Sequence, residues 1–478
     1  MRTFRMNPLL RTDSYKTSHS GALPLGTAFV FSYLESRGGT YGETTWFGLQ
    51  ALLKEYLTER ITAEDVAEAA ARWKLHGVPF DVDGWRRVVD MHDGRIPLRI
   101  RAVPEGSVVP VGNVLMTVEP TDPLLPWMGG WWETLLMRVW YPTTVATLSW
   151  HCAKRIREFL VETADDPDAE MPFKLHDFGA RGVSSAESAG MGGMAHLVNF
   201  QGSDTMEGVE FARRFYGEEM AAFSIPAMEH STVISWGPSG ELASFRNFVE
   251  HNAFLGHKII ACVSDSYDIF NAVENIWCEA DGMLDTVKRL GVTLVIRPDS
   301  GDPVDVNLKL LRILERKIGM RTNGKGFKVL PTFEGGGMFR LIQGDGNDDE
   351  ESIAKILRAM KADGYSASNI AFGMGGGLLQ RCNRDSQKFA LKASEIVMAN
   401  GERRAVCKTP VTDSGKRSKS GRLDLVKKEG RYVTVQADQP PLDSELVTVF
   451  EDGEIKKEWS FKEVRARARK ALVEAMGA

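Results

Sequence analysis

The sequence predicts an α/β fold: an incomplete, about seven-stranded β/α barrel with a second, discontinuous α+β domain built from the N- and C-terminal segments. Between about residues 174 and 377, short apolar runs alternate with polar, glycine-containing turns and helical stretches. The runs are FKLHDFG, AHLVNFQGSD, FSIPAMEH, IIACVSD, LVIRPDSG, FRLIQGDG and IAFGMGGG. Such alternation indicates parallel strands joined by right-handed crossovers. An open doubly wound sheet is the alternative, but it would need fewer units of this kind.

The flanking segments have a different pattern. Valine-rich runs between residues 97 and 118 alternate with Pro104, Gly106, Pro110 and Gly112, which is typical of an antiparallel sheet. Residues 136–170 have helical spacing, and the chain ends on a predicted helix at 461–476. The predicted domains are therefore 1–135 together with 400–478, and a barrel domain over 136–399.

Two helix starts can be predicted from capping chemistry. Asp302 can cap a helix whose first position is Pro303, where the missing N–H costs nothing. Ser184 and Glu187 have the spacing of a capping box. This box would place Arg181 in the loop before a helix N-terminus, which is a natural site for an anion.

Composition excludes several classes of protein. The 478 residues are 43% hydrophobic and 26% charged, and no apolar run of the length of a membrane span occurs. The first residues lack a secretory h-region, so we expect a cytoplasmic protein that binds no membrane. The five cysteines form no CxxC pair, which argues against a disulfide framework or a zinc site. The net charge of -5 favours no nucleic acid partner, although the basic run KRSKSGR (416–422) is either a solvated loop or an anion site.

Three glycine-rich turns follow predicted strands: RPDSG (297–301), QGDG (343–346) and GMGGG (373–377). Glycine lets the backbone approach a phosphate closely, so three such turns on one barrel rim predict a phosphate-bearing ligand. Neither GxGxxG nor GxxxxGK[ST] occurs, which disfavours an ordinary NAD-binding or P-loop protein.

Charged side chains cluster beside these turns. The carboxylates are Asp177, Asp204, Asp265, Asp268, Asp299 and Asp345. They suit Mg²⁺ bridging the phosphates of a substrate, although any one alone could be a helix cap. Arg181, Arg297 and Arg384 could bind phosphate oxygens. His230 follows Glu229 at a predicted strand end, where it could be a nucleophile or general base rather than a structural histidine.

These motifs resemble those of the nicotinamide phosphoribosyltransferase family, in the same order from about residue 8 to the C-terminus. The matching segments are TDSYK (12–16), KLHDFGARGVSS (174–185), GSDT (202–205), PAMEHST (226–232), VSDSYDI (263–269), IRPDSG (296–301), IQGDG (342–346), IAFGMGGGLLQ (370–380) and KRSKSGR (416–422). The resemblance implies a type II phosphoribosyltransferase fold and a homodimer with active sites shared between subunits. It also implies synthesis of nicotinamide mononucleotide and pyrophosphate from nicotinamide and phosphoribosyl pyrophosphate, in NAD salvage.

The resemblance assigns the pyridine ring to a sandwich between Phe178 and Tyr15 of the partner subunit. Asp204 matches the residue that accepts a hydrogen bond from the carboxamide. A nicotinate carboxylate about 4 Å from Asp204 would be repelled by roughly 1 to 4 kcal/mol, so nicotinamide is the expected substrate. Nicotinate phosphoribosyltransferase, which shares the fold, is the alternative.

The same resemblance implies the remaining site residues. Those expected to hold the ring, ribose and 5′-phosphate are Arg181, Arg297, Asp299, Gly344, Asp345, Gly375 and Gly376. Those expected near the pyrophosphate, from the partner subunit, are Arg37, Arg384, Lys392, Lys408 and Lys416. Mg²⁺ is expected at Asp265 and Asp299, and ATP is expected to phosphorylate His230, with Glu229 orienting the ring. The glycine-rich segment 333–339 is expected to form a loop near the ribose.

Two other classes fit the sequence less well. A non-catalytic relative that keeps the fold should have lost part of the set His230, Arg297, Asp299 and Arg384, which is intact. A sugar-phosphate aldolase or isomerase would need a Schiff-base lysine or a catalytic glutamate at a strand end, and the sequence offers no convincing one.

Overall fold

The computed structural model describes residues 6–410, 412 and 418–477. The chain divides into two compact units. Unit 1 comprises Met1–Thr147, Ala212–Glu218 and Cys382–Ala471, and unit 2 comprises Leu148–Phe211, Glu219–Arg381 and Leu472–Ala478. The predicted barrel end at residue 399 is too late, because Phe389–Met398 is a strand of the antiparallel sheet of unit 1. The predicted division at 135/136 lies before the observed one, which falls inside the helix Trp140–Thr163.

Unit 2 is built on a parallel sheet. Its strands are β1 (Leu175–Asp177), β2 (Gly202–Ser203), β3 (Ile259–Val263), β4 (Thr293–Arg297), β5 (Met338–Gln343) and β6 (Ile370–Met374). They lie in the order β2-β1-β6-β5-β4-β3, and every neighbouring pair is parallel. The α/β class with parallel strands is therefore confirmed.

The predicted strand FSIPAMEH forms only two single bridges. Phe223 pairs with Gly202 of β2, and Ala227 pairs with Ala261 of β3, both in the parallel sense. The segment between them thus contacts both edge strands of the sheet. A barrel of seven full strands is not confirmed in that form and stays a prediction.

Helices follow most strands of unit 2. Their bounds are Ala186–His196, Met206–Tyr216, His230–Ile234, Glu241–Phe254, Asp285–Leu290, Pro303–Ile318, Glu350–Ala362 and Gly376–Leu379, with Met206–Tyr216 continuing into unit 1. Asp302 caps Pro303–Ile318 as predicted, since its side chain accepts from the N–H groups of Val304 (3.0 Å) and Asp305 (2.9 Å).

The predicted capping box at Ser184 is wrong by one residue. Ser185 has the extended backbone of an N-cap, and its hydroxyl accepts from the Ser188 N–H at 3.1 Å. The helix therefore begins at Ala186. Arg181 still lies before the helix, in the short 3-10 turn Ala180–Gly182, as the sequence predicts.

Unit 1 contains a seven-stranded antiparallel sheet. Its strands, in spatial order, are Arg403–Ala405, Phe389–Met398, Thr27–Ser36, Val114–Pro120, Leu98–Ala102, Val447–Glu451 and Glu454–Ile455. Two small antiparallel pairs join Glu43–Thr45 to Val108–Pro110 and Leu423–Lys428 to Arg431–Gln436. The longer helices are Ala63–His76, Val82–His92, Met128–Met137 and Phe461–Ala475, whose last residues belong to unit 2. No helix in the described part of the chain is long and apolar enough to cross a membrane.

The glycine-rich loop at 333–337 lies at the end of β5 opposite to Gly344 and Asp345. It precedes β5, so it sits at the amino end of the strand, whereas Gly344 and Asp345 follow the carboxyl end. The loop packs on the end of helix Asp285–Leu290, where a Cβ at Gly337 would lie 2.6 Å from the Val287 carbonyl oxygen. The loop that was expected near the ribose therefore lies away from Gly344 and Asp345, two of the residues expected to hold the ribose.

Candidate functional site

A cavity of about 650 Å³ lies in unit 2. Phe178, Asp204 and Arg297, three of the predicted site residues, line it. Its apolar wall includes Ala261, Val295 and Ile342, which form one buried cluster with Phe178 packed against it. The cavity thus combines an apolar wall with polar and charged side chains, and such a concave site can bind a small molecule.

The Phe178 ring is positioned by β6. The Phe178 N–H donates to the Met374 carbonyl at 3.0 Å, and the ring lies across Gly373. A Cβ at residue 373 would be 2.1 Å from Cε2 of Phe178, so any side chain there would displace the ring. Sequence reasoning attributed GMGGG wholly to phosphate binding and missed that its first glycine seats the aromatic ring.

Asp204 follows β2 and is held by two neighbours. Its N–H donates to the Asp177 carbonyl at 2.9 Å, and its Oδ1 accepts a hydrogen bond of 2.5 Å from the Ser224 hydroxyl. Sequence reasoning missed Ser224. No local signal marks it, because it approaches Asp204 only through the bridge between Phe223 and Gly202.

Two titratable groups beside Asp204 have shifted pKa values. Burial lowers the pKa of His176, whose Nε2 lies 3.1 Å from the Phe173 carbonyl oxygen, so this imidazole is neutral at pH 7. Burial raises the pKa of Asp177 to about 6, although the Gly179 N–H opposes the shift by donating to Oδ1 at 2.7 Å. No positive charge from His176 therefore offsets the Asp204 carboxylate.

His230 begins the helix His230–Ile234 and contacts Asp265. The His230 Nε2 is 2.9 Å from Asp265 Oδ1, while Asp265 Oδ2 accepts from the Asp299 N–H (3.2 Å) and the Ser300 hydroxyl (2.5 Å). The Glu229 carboxylate instead accepts from the Ser231 hydroxyl. The group that orients His230 is therefore Asp265, not Glu229 as expected.

Each of the three glycine-rich turns lies close to another turn of the same unit. A Cβ at Gly344 would be 2.2 Å from Asp299 Oδ1 and 3.1 Å from Arg297 Cδ, so this glycine is required for the close approach. A Cβ at Gly182, beside Arg181, would be 3.4 Å from the Gly376 Cα. Arg181 and Asp345 are exposed on these turns, and Gly375 starts the short helix Gly376–Leu379.

Asp299 is the carboxylate best suited to a metal. Both Asp265 oxygens already accept hydrogen bonds, whereas neither Asp299 oxygen accepts one from the described residues, and Arg297 Nη2 lies 3.9 Å away. Burial raises the Asp299 pKa, and Asp265 and Asp345 add to the rise against Arg297. No cluster of three metal-ligating side chains exists in the described ranges, but Mg²⁺ needs only one or two carboxylates when phosphates complete its shell.

Unit 1 brings together several residues predicted near the pyrophosphate. Burial lowers the Lys392 pKa, and Arg37, Lys16 and Arg384 lower it further, whereas Glu133 opposes them. Lys16, missed from the sequence, is 6% exposed and pairs with Glu133. The other predicted members of this unit are exposed: the Tyr15 ring and the Lys408 side chain. Lys416 lies outside the described residues.

The fold is shared with solved phosphoribosyltransferases of pyridine nucleotide metabolism. The structure is similar to that of nicotinate-nucleotide pyrophosphorylase from Pyrococcus furiosus, with a TM-score of 0.59 at 17% identity over 99% of this chain and 98% of that one. It is also similar to human nicotinic acid phosphoribosyltransferase, with a TM-score of 0.56 at 17% identity over 97% and 93% of the chains. At such identities these likenesses show the fold alone.

Sequence comparison places the chain more narrowly. The model of the nicotinate phosphoribosyltransferase (NAPRTase) family matches residues 173–454, and that of the nicotinamide phosphoribosyltransferase N-terminal domain matches residues 7–100. Nicotinamide phosphoribosyltransferase of Xanthomonas campestris pv. campestris is 49% identical over 97% of this chain and 98% of its own length. That of Acinetobacter baylyi is 29% identical over 98% of both. The chain belongs to the nicotinamide phosphoribosyltransferase family, and it is a transferase.

We expect Gly373→Ala to weaken binding of a pyridine ring, because the new methyl group would displace Phe178. A lost stacking contact is worth about 0.5–1.5 kcal/mol, so the Kd of nicotinamide or nicotinate, titrated calorimetrically, should rise about threefold to tenfold. Gly130→Ala is the matched control, since its Cβ would meet nothing within 4 Å. An unchanged Kd in Gly373→Ala would remove Phe178 from the ring site.

We also expect Asp177 to make stability depend on pH. Its carboxyl keeps its proton to about pH 6 in the native state, whereas in the unfolded chain it loses the proton near 3.8. The free energy of unfolding should therefore fall by up to about 3 kcal/mol as pH rises from about 4 to 6. Asp177→Asn should abolish that part of the fall, measured by urea unfolding at several pH values. Parallel pH profiles of the two proteins would contradict a protonated Asp177.

Proposed function

We propose that this enzyme transfers the phosphoribosyl group of phosphoribosyl pyrophosphate to nicotinamide, giving nicotinamide mononucleotide and pyrophosphate. The observation that carries the proposal is that the Asp204 carboxyl group lines the same cavity as Phe178. Its Oδ1 is taken by Ser224, which leaves Oδ2 to accept an N–H from the substrate. The 49% identical relative that bears the name of this activity adds support.

Asp204 favours the amide over the acid. A carboxamide supplies N–H donors to the carboxylate, whereas a nicotinate carboxylate about 4 Å away would be repelled by roughly 1 to 4 kcal/mol. Neutral His176 offers no compensating charge. Nicotinate phosphoribosyltransferase remains the alternative activity, since the family model bears that name.

The transfer needs positioning more than proton chemistry. The ring nitrogen lone pair forms the bond to the ribose C1′ as the bond from C1′ to pyrophosphate breaks, through an oxocarbenium-like state. No proton leaves the pyridine. Arg297, Asp299 and the turns at Gly344 and Gly375–Gly376 would hold ribose and 5′-phosphate, as their adjacency supports. Mg²⁺, when bound, neutralises the leaving pyrophosphate, and Asp299 would hold it.

A second copy of the chain would complete the site. Phe178 covers one face of a pyridine ring, and the partner's Tyr15, which is 57% exposed, would cover the other. The partner's Arg37, Arg384, Lys392, Lys408 and Lys416 would then bind the pyrophosphate. The segment 223–228, bridged to both sheet edges, would serve as the seventh strand of the barrel around the ring.

His230 is the proposed acceptor of phosphate from ATP. Its Nε2–H donates to Asp265, which leaves the lone pair on Nδ1. Nδ1 would attack the terminal phosphorus of ATP as the bond to ADP breaks, giving a phosphohistidine, and hydrolysis of that intermediate would drive synthesis forward. The 44% exposure of His230 gives a nucleotide access to the ring.

A paired assay tests the activity. Phosphoribosyl pyrophosphate and Mg²⁺ are offered with nicotinamide or nicotinate, with and without ATP, and each mononucleotide is quantified. Nicotinamide mononucleotide as the main product, formed faster with ATP, is expected. Preferential use of nicotinate would establish the alternative, and no product from either ring would refute the proposed enzyme.

Asp204→Asn or Asp204→Ser should relax the selectivity for nicotinamide. Removing the negative charge removes the repulsion, so the ratio of kcat/KM for nicotinate to that for nicotinamide should rise about tenfold or more. Glu207→Gln, three residues along on an exposed helix position, is the matched control and should keep the wild-type ratio. An unchanged ratio in both Asp204 variants would refute the assigned role.

His230→Ala should abolish ATP hydrolysis while slow transfer persists at high substrate concentration. ADP release and mononucleotide formation are measured in parallel. His251→Ala, which alters a histidine in helix Glu241–Phe254, is the control and should retain both activities. Full ATPase activity in His230→Ala would exclude a phosphohistidine at this position.

A further inference from the structure

Alternate residues at the end of one strand of unit 1 share a face of its sheet. Tyr33 and Glu35 belong to strand Thr27–Ser36, and Arg37 follows it directly. Side chains two positions apart on a strand point to the same side. Lys392 lies opposite Tyr33 on the neighbouring strand, and Ala390 lies opposite Glu35. The face therefore carries two of the predicted pyrophosphate residues, Arg37 and Lys392.

Glu35 joins two cations from distant parts of the chain. Its side chain is 3% exposed; Oε1 accepts from Arg37 Nε at 2.8 Å, and Oε2 accepts from Lys419 Nζ. The Tyr33 hydroxyl approaches Oε1 at 3.4 Å. Burial and the Glu35 charge raise the Tyr33 pKa, so this hydroxyl stays protonated. A single buried carboxylate thus neutralises only part of the charge around it.

Ser418 and Lys419 are hydrogen-bonded to residues from other parts of unit 1. Two hydrogen bonds join Lys408 and Ser418. The Ser418 N–H donates to the Lys408 carbonyl (3.0 Å), and the Lys408 N–H donates to the Ser418 hydroxyl (2.8 Å). The next N–H, that of Lys419, donates to the Tyr33 hydroxyl at 2.8 Å. The position of Lys408 is therefore fixed to strand Thr27–Ser36 through Tyr33 and Glu35.

Arg37 and Lys392 have N–H donors that could bind an anion. Arg37 Nη2 is buried and has no hydrogen-bond partner in the part of the chain that the structure describes. Lys392 Nζ donates only to the Leu391 carbonyl there, and Lys16 and Arg384 add charge nearby. The carboxylates that pair with these cations are Glu35 with Arg37, Glu133 with Lys16, and Asp385 with Arg384. Cations outnumber carboxylates, which suits a ligand with several negative oxygens.

We infer that Glu35 is a positioning residue of the pyrophosphate site. It holds Arg37 and the hydrogen-bonded residues Lys408, Ser418 and Lys419 on the same side of the sheet as Lys392. This inference rests on the proposed function, because it assigns these cations to the pyrophosphate group of the substrate. Glu35 itself does not touch the ligand. It holds Arg37 and Lys419 in place through its negative charge. Without that charge, neither side chain would be held by this ion pair.

Glu35→Gln is the direct test, because it keeps the shape and removes the charge. The KM for phosphoribosyl pyrophosphate should rise about tenfold, and the Kd of pyrophosphate, measured by calorimetry on the full chain with Mg²⁺, should rise by a similar factor. The KM for nicotinamide should stay within about twofold of wild type, since Phe178 and Asp204 are unchanged.

Asp424→Asn is the matched control. Asp424 is also 3% exposed in the same unit, and it pairs with Arg101 at 2.6 Å and with the Ser444 hydroxyl at 2.5 Å rather than with the cluster. A general loss of packing would weaken pyrophosphate binding equally in both variants. Equal weakening, or a wild-type Kd in Glu35→Gln, would overturn the inference.

Tyr33→Phe covers the case in which Glu35→Gln does not fold. It removes only the hydroxyl that holds Lys419, and it should also raise the Kd of pyrophosphate, by about threefold, with the nicotinamide KM unaffected; a wild-type Kd would contradict the inference. Wild-type protein that binds pyrophosphate but forms no mononucleotide would refute the proposed function alone, and the variant Kd values would still decide the role of Glu35. Wild-type protein that does not bind pyrophosphate would refute both.

Discussion

The parallel pairing of the six strands of unit 2 is the constraint on which the candidate site depends. Because the strands run in one direction, Phe178, Asp204 and the turn after Arg297 all follow carboxyl ends of strands and meet at one rim. The bond from the Asp204 N–H to the Asp177 carbonyl shows how tightly β1 and β2 are coupled there. A shift of register by one residue would turn Asp204 away from Phe178.

Burial then decides which groups at that rim carry charge. His176 is neutral at pH 7, whereas Asp177 holds its proton only up to about pH 6. Both oxygens of Asp265, which follows β3, are hydrogen-bonded to His230, Ser300 and the Asp299 backbone. Among the described residues, none donates a hydrogen bond to the oxygens of Asp299, which lies beside Arg297. Four carboxylates of the same chemistry thus have separate roles, set by what surrounds each.

Glycines have two different roles in this site. Gly344 permits Asp299 and Arg297 to approach the turn after β5, as expected of a phosphate-binding turn. Gly373 instead makes room for an aromatic ring, although it belongs to the same kind of motif. In unit 1, Tyr33, Glu35 and Arg37 share one face of the sheet, where the Glu35 carboxylate binds two cations, Arg37 and Lys419.

Local features of this protein were determined by the sequence itself. The strand and turn motifs, the Asp302 cap and the family all follow from contiguous residues, since hydrogen-bond capping and strand alternation act over a few positions. Partnerships across the chain were decided only by the tertiary structure: Ser224 with Asp204 across 20 positions, Asp265 with His230 across 35, and Lys419 with Glu35 across 384. The loop at 333–337 was misplaced for the same reason, because its composition does not reveal which end of β5 it adjoins. The packing of whole strands brings these paired side chains within 3 Å of each other. Such a distance cannot be predicted from the order of residues along the chain.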